Sequence, residues 1–274
     1  MTKVRSFVAA AAFALVCLVG IPAAEASPAN TRLTNDNSSY ISDYTLVTGN
    51  AYTDDVLTAC SQSRGRQNEP AVAVDPRNSQ VIVGSSNDYC GVFAADGTFV
   101  GLGTVWMGYY RSQNGGASFT SSLIPGYPGD TSPYAARANV RTAFSGDPVL
   151  AWDNHGRLFA GSESSGDREG TNKTFGDVWV ATYQNPNGSG GATAGDGKEF
   201  VRSLDVAQGS ASPTPFFSGV FHDKTAIEVD RTAVRATGTC TSLGRGSPAT
   251  GRTASTRAST SHARPITGRR SRPR

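Results

Sequence analysis

The chain has 274 residues and a formal net charge of +3, but the two signs of charge are unevenly distributed. Residues 231–274 hold ten Arg and no Lys, Asp or Glu, whereas residues 1–230 hold 15 basic and 22 acidic residues, a net charge of −7. With 31 Gly and only 17% charged residues, the composition argues against a coiled coil or a helical bundle. Because the basic charge is confined to one end, we expect no specific nucleic-acid partner.

The N-terminus has the pattern of a secretory signal peptide. Lys3 and Arg5 precede an apolar stretch from Phe7 to Ile21, and Ala24-Glu25-Ala26 then offers small residues to a signal peptidase. Residues 1–26 are therefore predicted to be removed, giving a secreted or extracellular protein without membrane attachment. A membrane anchor is the alternative, but the apolar stretch is shorter than the roughly 20 residues that cross a bilayer.

Secretion changes the interpretation of the cysteines. In an oxidising compartment, Cys60 and Cys90 are predicted to form a disulfide, which would leave Cys240 without a disulfide partner. Two free thiols are the alternative. The segment in which Cys60 lies, residues 27–64, carries no clear periodicity and is predicted to be irregular.

A long-period repeat follows this segment. Each of three segments begins with an acid, continues with apolar residues and ends on Asp; they are Glu69–Asp75, Asp147–Asp153 and Asp223–Asp230. The closing aspartates are 78 and 77 residues apart. A turn and a second strand-like segment follow the first two, so each unit is predicted to open with a hairpin.

Further strands complete the first two units. Val105–Arg111 and Val178–Gln184 read as matching third strands, and Phe119 and Phe200 are expected to lie at the start of fourth strands. Four antiparallel strands in a long-period repeat indicate propeller blades. The sequence therefore predicts an all-β fold with about two and a quarter four-stranded blades of a partial β-propeller over residues 65–230. Unrelated hairpins in a β-sandwich are the alternative.

The turn after the third strand of the first unit carries a known motif. Ser112, Asn114, Gly116 and Phe119 resemble the Asp-box, Ser-x-Asp-x-Gly-x-x-Trp, of the sialidase (neuraminidase) or BNR-repeat superfamily, with Asn114 in place of the Asp. The resemblance covers about residues 65–230 and implies a sialidase-type propeller and exo-glycosidase action on glycans. The motif itself is structural, because its side-chain oxygens bind turn amides.

The repeat also predicts where a site would lie. In a four-stranded meander the first–second and third–fourth turns share one rim, and in sialidase-like propellers the opposite rim surrounds the active site. Carboxylates at that second rim are candidates for acid/base chemistry on a glycoside, namely Glu69, Asp88, Asp147, Glu163 and Asp223. The candidate binding residues for a substrate carboxylate are Arg64, Arg66 and Arg168.

Two further interpretations of this rim remain open. The repeated acids Glu69, Asp147 and Asp223 can instead cap the backbone of a neighbouring blade. A complete arginine cluster with a Tyr–Glu pair, which sialidases carry, is not identifiable. We therefore expect an inactive chain, and the rival function is a non-catalytic propeller that binds a glycan or a protein. A glycan is the expected ligand, and no cofactor or metal is predicted.

The last 44 residues have a different composition from the repeat. Of residues 231–274, 39 are Arg, Thr, Ser, Ala, Gly or Pro and none is aromatic, which predicts a disordered tail. A frameshift just after Asp230 would explain this composition. Codons can be chosen for residues 238–247 such that the same DNA, read in another frame, encodes the strand-like Asp-Val-Tyr-Val-Ala-Trp-Ser-Arg-Phe. A basic arm for anionic polymers is the competing interpretation. A truncated propeller also leaves sheet edges open, which predicts self-association.

Overall fold

The chain is described by a computed structural model that covers residues 33, 39–62, 66–92, 98, 105–168, 175–210 and 219–231, with the backbone of 240–248 and 254–259. The predicted signal peptide lies outside the described residues. The all-β class is confirmed, because strands dominate the described part of the chain and only two short α-helices accompany them. Neither of these helices has the length and apolar character needed to cross a membrane.

The strands form three sheets that follow one another along the chain. The first sheet is an antiparallel meander of β1 (Gln67–Val74), β2 (Ile82–Asp88), β3 (Trp106–Ser112) and β4 (Thr120–Leu123). The second has the order β5-β9-β8-β7-β6, with β5 (Ala138–Asn139), β6 (Thr142–Trp152), β7 (Leu158–Asp167), β8 (Asp177–Gln184) and β9 (Glu199–Ala207). The third contains β10 (Val220–Val229), β11 (Cys240–Pro248) and β12 (Ala254–Ser259).

The second sheet repeats the meander of the first through β6, β7, β8 and β9, which pair antiparallel in that order. The two-residue strand β5 adds a parallel edge against β9 that the repeat does not contain. Short 3₁₀ helices at Ala135–Arg137 and Thr193–Gly195 lie in the connections before β5 and before β9. Thus the four-strand unit predicted from the sequence occurs twice.

The segment predicted to be irregular, 27–64, contains two helices instead. They are α1 (Asp43–Thr48) and α2 (Asp55–Gln62). Ser42 caps α1, since its side-chain oxygen accepts a hydrogen bond of 3.1 Å from the amide three residues on. Asp54 caps α2 in the same way at 2.8 Å. Such capping satisfies the free amides of a first helical turn, and the sequence prediction overlooked both caps.

The tail also differs from the prediction of disorder. Residues 240–248 pair with β10, in a register that runs from Val229 opposite Cys240 to Val220 opposite Pro248, and 254–259 pair with β11 in turn. Strand pairing is made by backbone groups, so an open sheet edge can be extended without an aromatic side chain. The repeat itself predicts a strand at this place. The frameshift stays a prediction.

The closing aspartate of each unit has a local role in its hairpin. Asp75 accepts a hydrogen bond of 2.8 Å from the amide of Arg77, and Asp153 accepts one of 2.7 Å from the amide of His155. Both carboxylates are buried. An Asp that binds the amide two residues on fixes a turn, which explains why the acid recurs at the end of the first strand.

The Asp-box turn between β3 and β4 is held by its own polar side chains. The Ser112 hydroxyl oxygen accepts hydrogen bonds from the amides of Asn114 at 3.2 Å and Gly116 at 2.9 Å. The Asn114 side-chain oxygen accepts from the amide of Ser118 at 3.0 Å, and Phe119 packs against the core. An amide oxygen serves here as a carboxylate oxygen would, so the Asp-to-Asn departure preserves the turn.

Aromatic rings fill the space between the first two sheets. Trp106 and Trp179, the matching residues of β3 and β8, stack with ring centroids 5.8 Å apart. Tyr109 stacks on Tyr183 at 4.0 Å with nearly parallel rings. A smaller cluster, in which Val229 of β10 packs with β6, β7 and β8, joins the second sheet to the third. Successive sheets are therefore packed face to face, with one apolar cluster between each neighbouring pair.

The predicted disulfide between Cys60 and Cys90 is confirmed, with their Cα atoms 4.4 Å apart. It joins α2 to the end of β2. Val72 and Val74 of β1 are the exposed large hydrophobic side chains of the described residues, at 63% and 51%. Self-association through the open edges stays a prediction.

We expect the Ser112→Ala variant to lose about 1–2 kcal/mol of free energy of unfolding, because two turn amides lose their acceptor. Chemical denaturation followed by circular dichroism measures this. Ser118→Ala is the matched control, since its hydroxyl accepts only from the exposed Asn114 side chain. Equal stabilities of the two variants would contradict the structural role of the motif.

Candidate functional site

The first strands of the three sheets meet at one rim, and each carries the same irregularity there. The register shifts between Asn68 and Ala71 in β1, with corresponding shifts in β6 and β10. Glu69, Asp147 and Lys224 occupy these bulges with φ of 50°, 48° and 56°. This left-handed conformation costs a residue other than glycine roughly 1–2 kcal/mol, and such strain is concentrated at functional sites.

The three bulges surround a hollow of about 280 Å³, which we call the rim hollow. Its lining consists of the bulge residues and the residues that follow them, namely Glu69, Pro70, Asp147, Pro148, Val149, Lys224 and Thr225. Each of the three sheets therefore contributes one charged side chain and the next residue to a single concave surface.

Hydrogen bonds and an ion pair connect the sheets at the hollow. The Lys224 ammonium lies 2.8 Å from a carboxylate oxygen of Asp147 and 3.8 Å from one of Glu69. The side-chain oxygen of Asn87 accepts a hydrogen bond of 2.6 Å from the Asp147 amide. Asp147 thus binds a partner from the first sheet and a partner from the third. The sequence predicts that Asp147 caps the backbone of a neighbouring unit. The structure shows the reverse arrangement, because Asn87 of the first unit caps the backbone of Asp147.

The two carboxyl groups nearest Lys224 differ in their pKa. A hydrogen bond with Asp147 and the charge of Asp147 raise the pKa of Glu69 above its usual range. Burial acts to raise the pKa of Asp147, but hydrogen bonds from Lys224, Glu69 and Asn87 outweigh it and lower that pKa. Glu69 therefore holds a proton more readily than Asp147, and the two titrate as a coupled pair.

A second group of carboxylates lies beside the hollow. Asp147, Glu163 and Asp223 each place one oxygen so that all three lie within 4.8 Å of one another. Such oxygen sets suit Ca²⁺ in general, but the Lys224 ammonium already neutralises part of this charge. Four of the five carboxylates proposed from the sequence thus converge at one rim.

Asp88 lies apart from this group. It is buried and accepts hydrogen bonds of 2.5 Å from the Tyr40 hydroxyl and 2.6 Å from the Tyr110 hydroxyl. Desolvation raises its pKa. Asp88 therefore holds the N-terminal segment to the first sheet and faces tyrosines and not the rim hollow, while its role as an acid/base residue stays a prediction.

The proposed arginines do not form a cluster at the rim hollow within the described residues. Arg66 lies just before β1 and is exposed, and Arg168 ends β7 and donates a hydrogen bond to the carbonyl of Gly126. Arg64 lies outside the described residues. The cation at the hollow is Lys224, which follows the predicted Asp223 directly in the sequence.

The tyrosines considered for a Tyr–Glu pair have other surroundings. Tyr134 is buried against Phe200, and the hydroxyl of Tyr183 donates a hydrogen bond of 2.6 Å to Asp43. Tyr89 follows β2, and its amide bonds to the carbonyl of Arg66. The Tyr–Glu pair that the sialidase resemblance implies is therefore not identified among these three tyrosines.

Asp43 of α1 is a perturbed group that sequence reasoning missed. Its carboxyl group is 2% exposed, and burial raises its pKa from 3.8 to about 7. The hydrogen bonds from Tyr183 and Ser122 act in the opposite direction and lower it. Nothing in the local sequence distinguishes Asp43 from an ordinary first-turn acid, because its burial comes from the distant strands β8 and β4.

No protein-family model matches the chain, and no curated protein is significantly similar to it. The relation to sialidases consequently depends on the residues of the repeat and of the Asp-box turn alone.

The raised pKa of Asp43 predicts a pH dependence of stability. The folded state retains a proton that the unfolded state loses near pH 3.8, so this group's contribution is full below pH 4 and is lost as the pH rises to about 7. The free energy of unfolding falls by up to about 1.4 kcal/mol per pH unit across this window.

We expect Asp43→Asn to flatten this slope, as measured by urea denaturation at several pH values between 4 and 8. Asp55→Asn, at an exposed position of α2, is the matched control. If the slopes of the wild type and Asp43→Asn are equal, the raised pKa is refuted.

Proposed function

We propose that the chain is a secreted, non-catalytic protein of the sialidase propeller type that binds a neutral glycan in the rim hollow. The observation that carries this proposal is the threefold bulge. Three strained positions from three sheets present Glu69, Asp147 and Lys224 to one concave surface. Strain of this kind is concentrated at functional sites, and here it recurs at one place in each of the three units.

The propeller type is supported by the arrangement of the sheets. Two four-stranded meanders and a third sheet follow in chain order, and their first strands β1, β6 and β10 adjoin one another. Up-and-down sheets arranged around their first strands are the architecture of propellers. The hydrogen bonds of Ser112 and Asn114 add support for the sialidase type.

Secretion is supported by the disulfide. A bond between Cys60 and Cys90 persists in oxidising compartments and is rare in the cytosol. The pattern of residues 1–26, which lie outside the described residues, adds the signal peptide expected for that route.

The charge of the rim favours a neutral ligand over a sialylated one. Among the described residues, Glu69 and Asp147 line the hollow together with Lys224, and Glu163 and Asp223 lie beside Asp147, so carboxylates outnumber the cation there. A substrate carboxylate would be repelled there. Sugar hydroxyls, in contrast, donate hydrogen bonds to carboxylates and accept them from an ammonium group.

Glycoside hydrolysis is the second candidate, and the pKa values favour it. Glu69 and Asp147 have pKa values that move in opposite directions, which is the pattern of an acid and its partner. The proximity of the two groups disfavours it, because Asp147 is the main cause of the raised pKa of Glu69, whereas glycosidase carboxyl groups stand about 5 Å or more apart. Binding without hydrolysis is therefore the better supported function.

We expect the protein to bind neutral oligosaccharides on a glycan array and not to bind sialylated ones. Asp147→Asn should weaken this binding roughly tenfold, since a hydrogen bond to a charged group is lost. Asp55→Asn removes the same charge on α2 and should bind like the wild type. Preferential binding of sialylated glycans, or wild-type binding by Asp147→Asn, would overturn the proposal.

Fluorogenic glycosides separate the two candidates. The binding proposal predicts no release of the fluorophore from neutral glycosides or from sialosides. Release that disappears in Glu69→Gln would establish hydrolysis in its place.

A further inference from the structure

A larger cavity lies on the opposite rim from the hollow, between α1, the Asp-box turn and the connection from β8 to β9. Its volume is about 520 Å³, within the range of small-molecule sites. Leu46, Phe119 and the ring of Tyr109 form its apolar part. Three charged residues, Asp43, Arg111 and Lys198, also line it.

We propose that this cavity, which we call the α1 cavity, binds a small organic carboxylate with an apolar body. Apolar walls with a few fixed polar groups are the general design of small-molecule sites. The site shares no lining residue with the rim hollow, so the proposal stands independently of glycan binding.

The wall of the cavity is rigid before any ligand enters. The Tyr109 ring is stacked on Tyr183 at 4.0 Å, and its hydroxyl donates a hydrogen bond to the carbonyl of Gly197. The Arg111 guanidinium donates to the carbonyl of Asp196 through two nitrogens, at 3.1 and 2.9 Å. A wall fixed in this way loses little entropy on binding.

The positive charge of Arg111 is not cancelled by an ion pair. Its hydrogen-bond partners are the carbonyl oxygens of Ala194 and Asp196, which are neutral. No ion pair within the described residues includes it, in contrast to Arg141 and Arg157, which bind carboxylates directly. Arg111 is largely buried, so its charge acts on the cavity through a medium of low dielectric.

Lys198 supplies the group that a carboxylate can reach. It is half-buried at the cavity, and within the described part of the chain its ammonium forms neither a hydrogen bond nor an ion pair. A flexible ammonium beside an apolar wall offers a ligand one charged contact and room for its body.

The remaining charged residue, Asp43, opposes an anion only in part. Burial raises its pKa to about 7, so at neutral pH a large share of the carboxyl is uncharged. Arg111 and Lys198 are the two cations of the lining and Asp43 is its one acid, whereas Asp75 and Asp196, whose charges also act on Arg111, lie outside the lining. This local excess of positive charge lies in a segment, 27–230, that otherwise holds 13 basic and 21 acidic residues. The cavity is therefore a place where an acidic protein attracts an anion.

Calorimetric titration with 4-phenylbutyrate and with its neutral amide tests the proposal at pH 6.5. We expect the carboxylate to bind about tenfold more tightly than the amide, because the amide forms no charged contact. Lys198→Met keeps the length of the side chain and removes its charge, so it should reduce the preference for the carboxylate severalfold while leaving amide binding unchanged.

Arg202→Met removes a positive charge at an exposed position of β9, outside both cavities, and is the matched control; it should bind both probes like the wild type. Equal affinity for the carboxylate and the amide, an unchanged preference in Lys198→Met, or no binding of the carboxylate at millimolar concentration would each overturn the proposal. None of these results bears on glycan binding at the other rim.

Discussion

The contact of β6 with β1 on one side and with β10 on the other is the constraint on which the rest of the structure depends. It brings three bulges to one rim and places Asp147 between partners from both neighbouring sheets. The aromatic rings between the sheets fix the same arrangement farther from the rim, with Tyr109 stacked on Tyr183. Because packed sheets are stiff, they can hold non-glycine residues in the left-handed region at the rim.

The repeat also explains the face that stays uncovered. Leu150 and Trp152 of β6 pack into the core shared with the first sheet, and their counterparts in β1 are Val72 and Val74. No earlier sheet precedes β1 within the described residues, so these valines remain exposed. The two valines are therefore exposed because, within the described residues, no preceding sheet covers the first strand of the first unit.

Much of the fold could be predicted from the sequence, because hydrophobic alternation and turn residues act over short distances. The hairpins, the Asp-box turn and the Cys60–Cys90 pairing belong to this class. The helices α1 and α2 were missed because their signals, the caps Ser42 and Asp54, are single polar residues in a weakly periodic segment. Disorder was wrongly predicted for residues 240–248, since composition does not report the open edge of β10 that they pair with.

The candidate site was predictable in position and not in detail. The period of the repeat predicted that Glu69, Asp147, Glu163 and Asp223 lie at one rim. It predicted the same for Asp88, whose tyrosine partners come from β3 and from the distant N-terminal segment.

The bulges have one local feature in the sequence, which is the proline after the acid in Glu69-Pro70 and Asp147-Pro148. A residue before proline is disfavoured in the helical region. This preference does not predict the positive φ that Glu69 and Asp147 adopt. The burial of Asp43 comes from the distant strands β8 and β4 and has no local sign.

The central claim is that sheet packing holds strained residues at the rim hollow in order to present their charges. The most direct measurement compares the free energies of unfolding of Lys224→Gly and Lys224→Ala, neither of which keeps the ammonium. Glycine normally lowers stability relative to alanine within a strand, but it is favoured where φ is positive. The account predicts that the glycine variant is the more stable of the two, because Lys224 has φ of 56°. An alanine variant as stable as the glycine variant, or more stable, would contradict it.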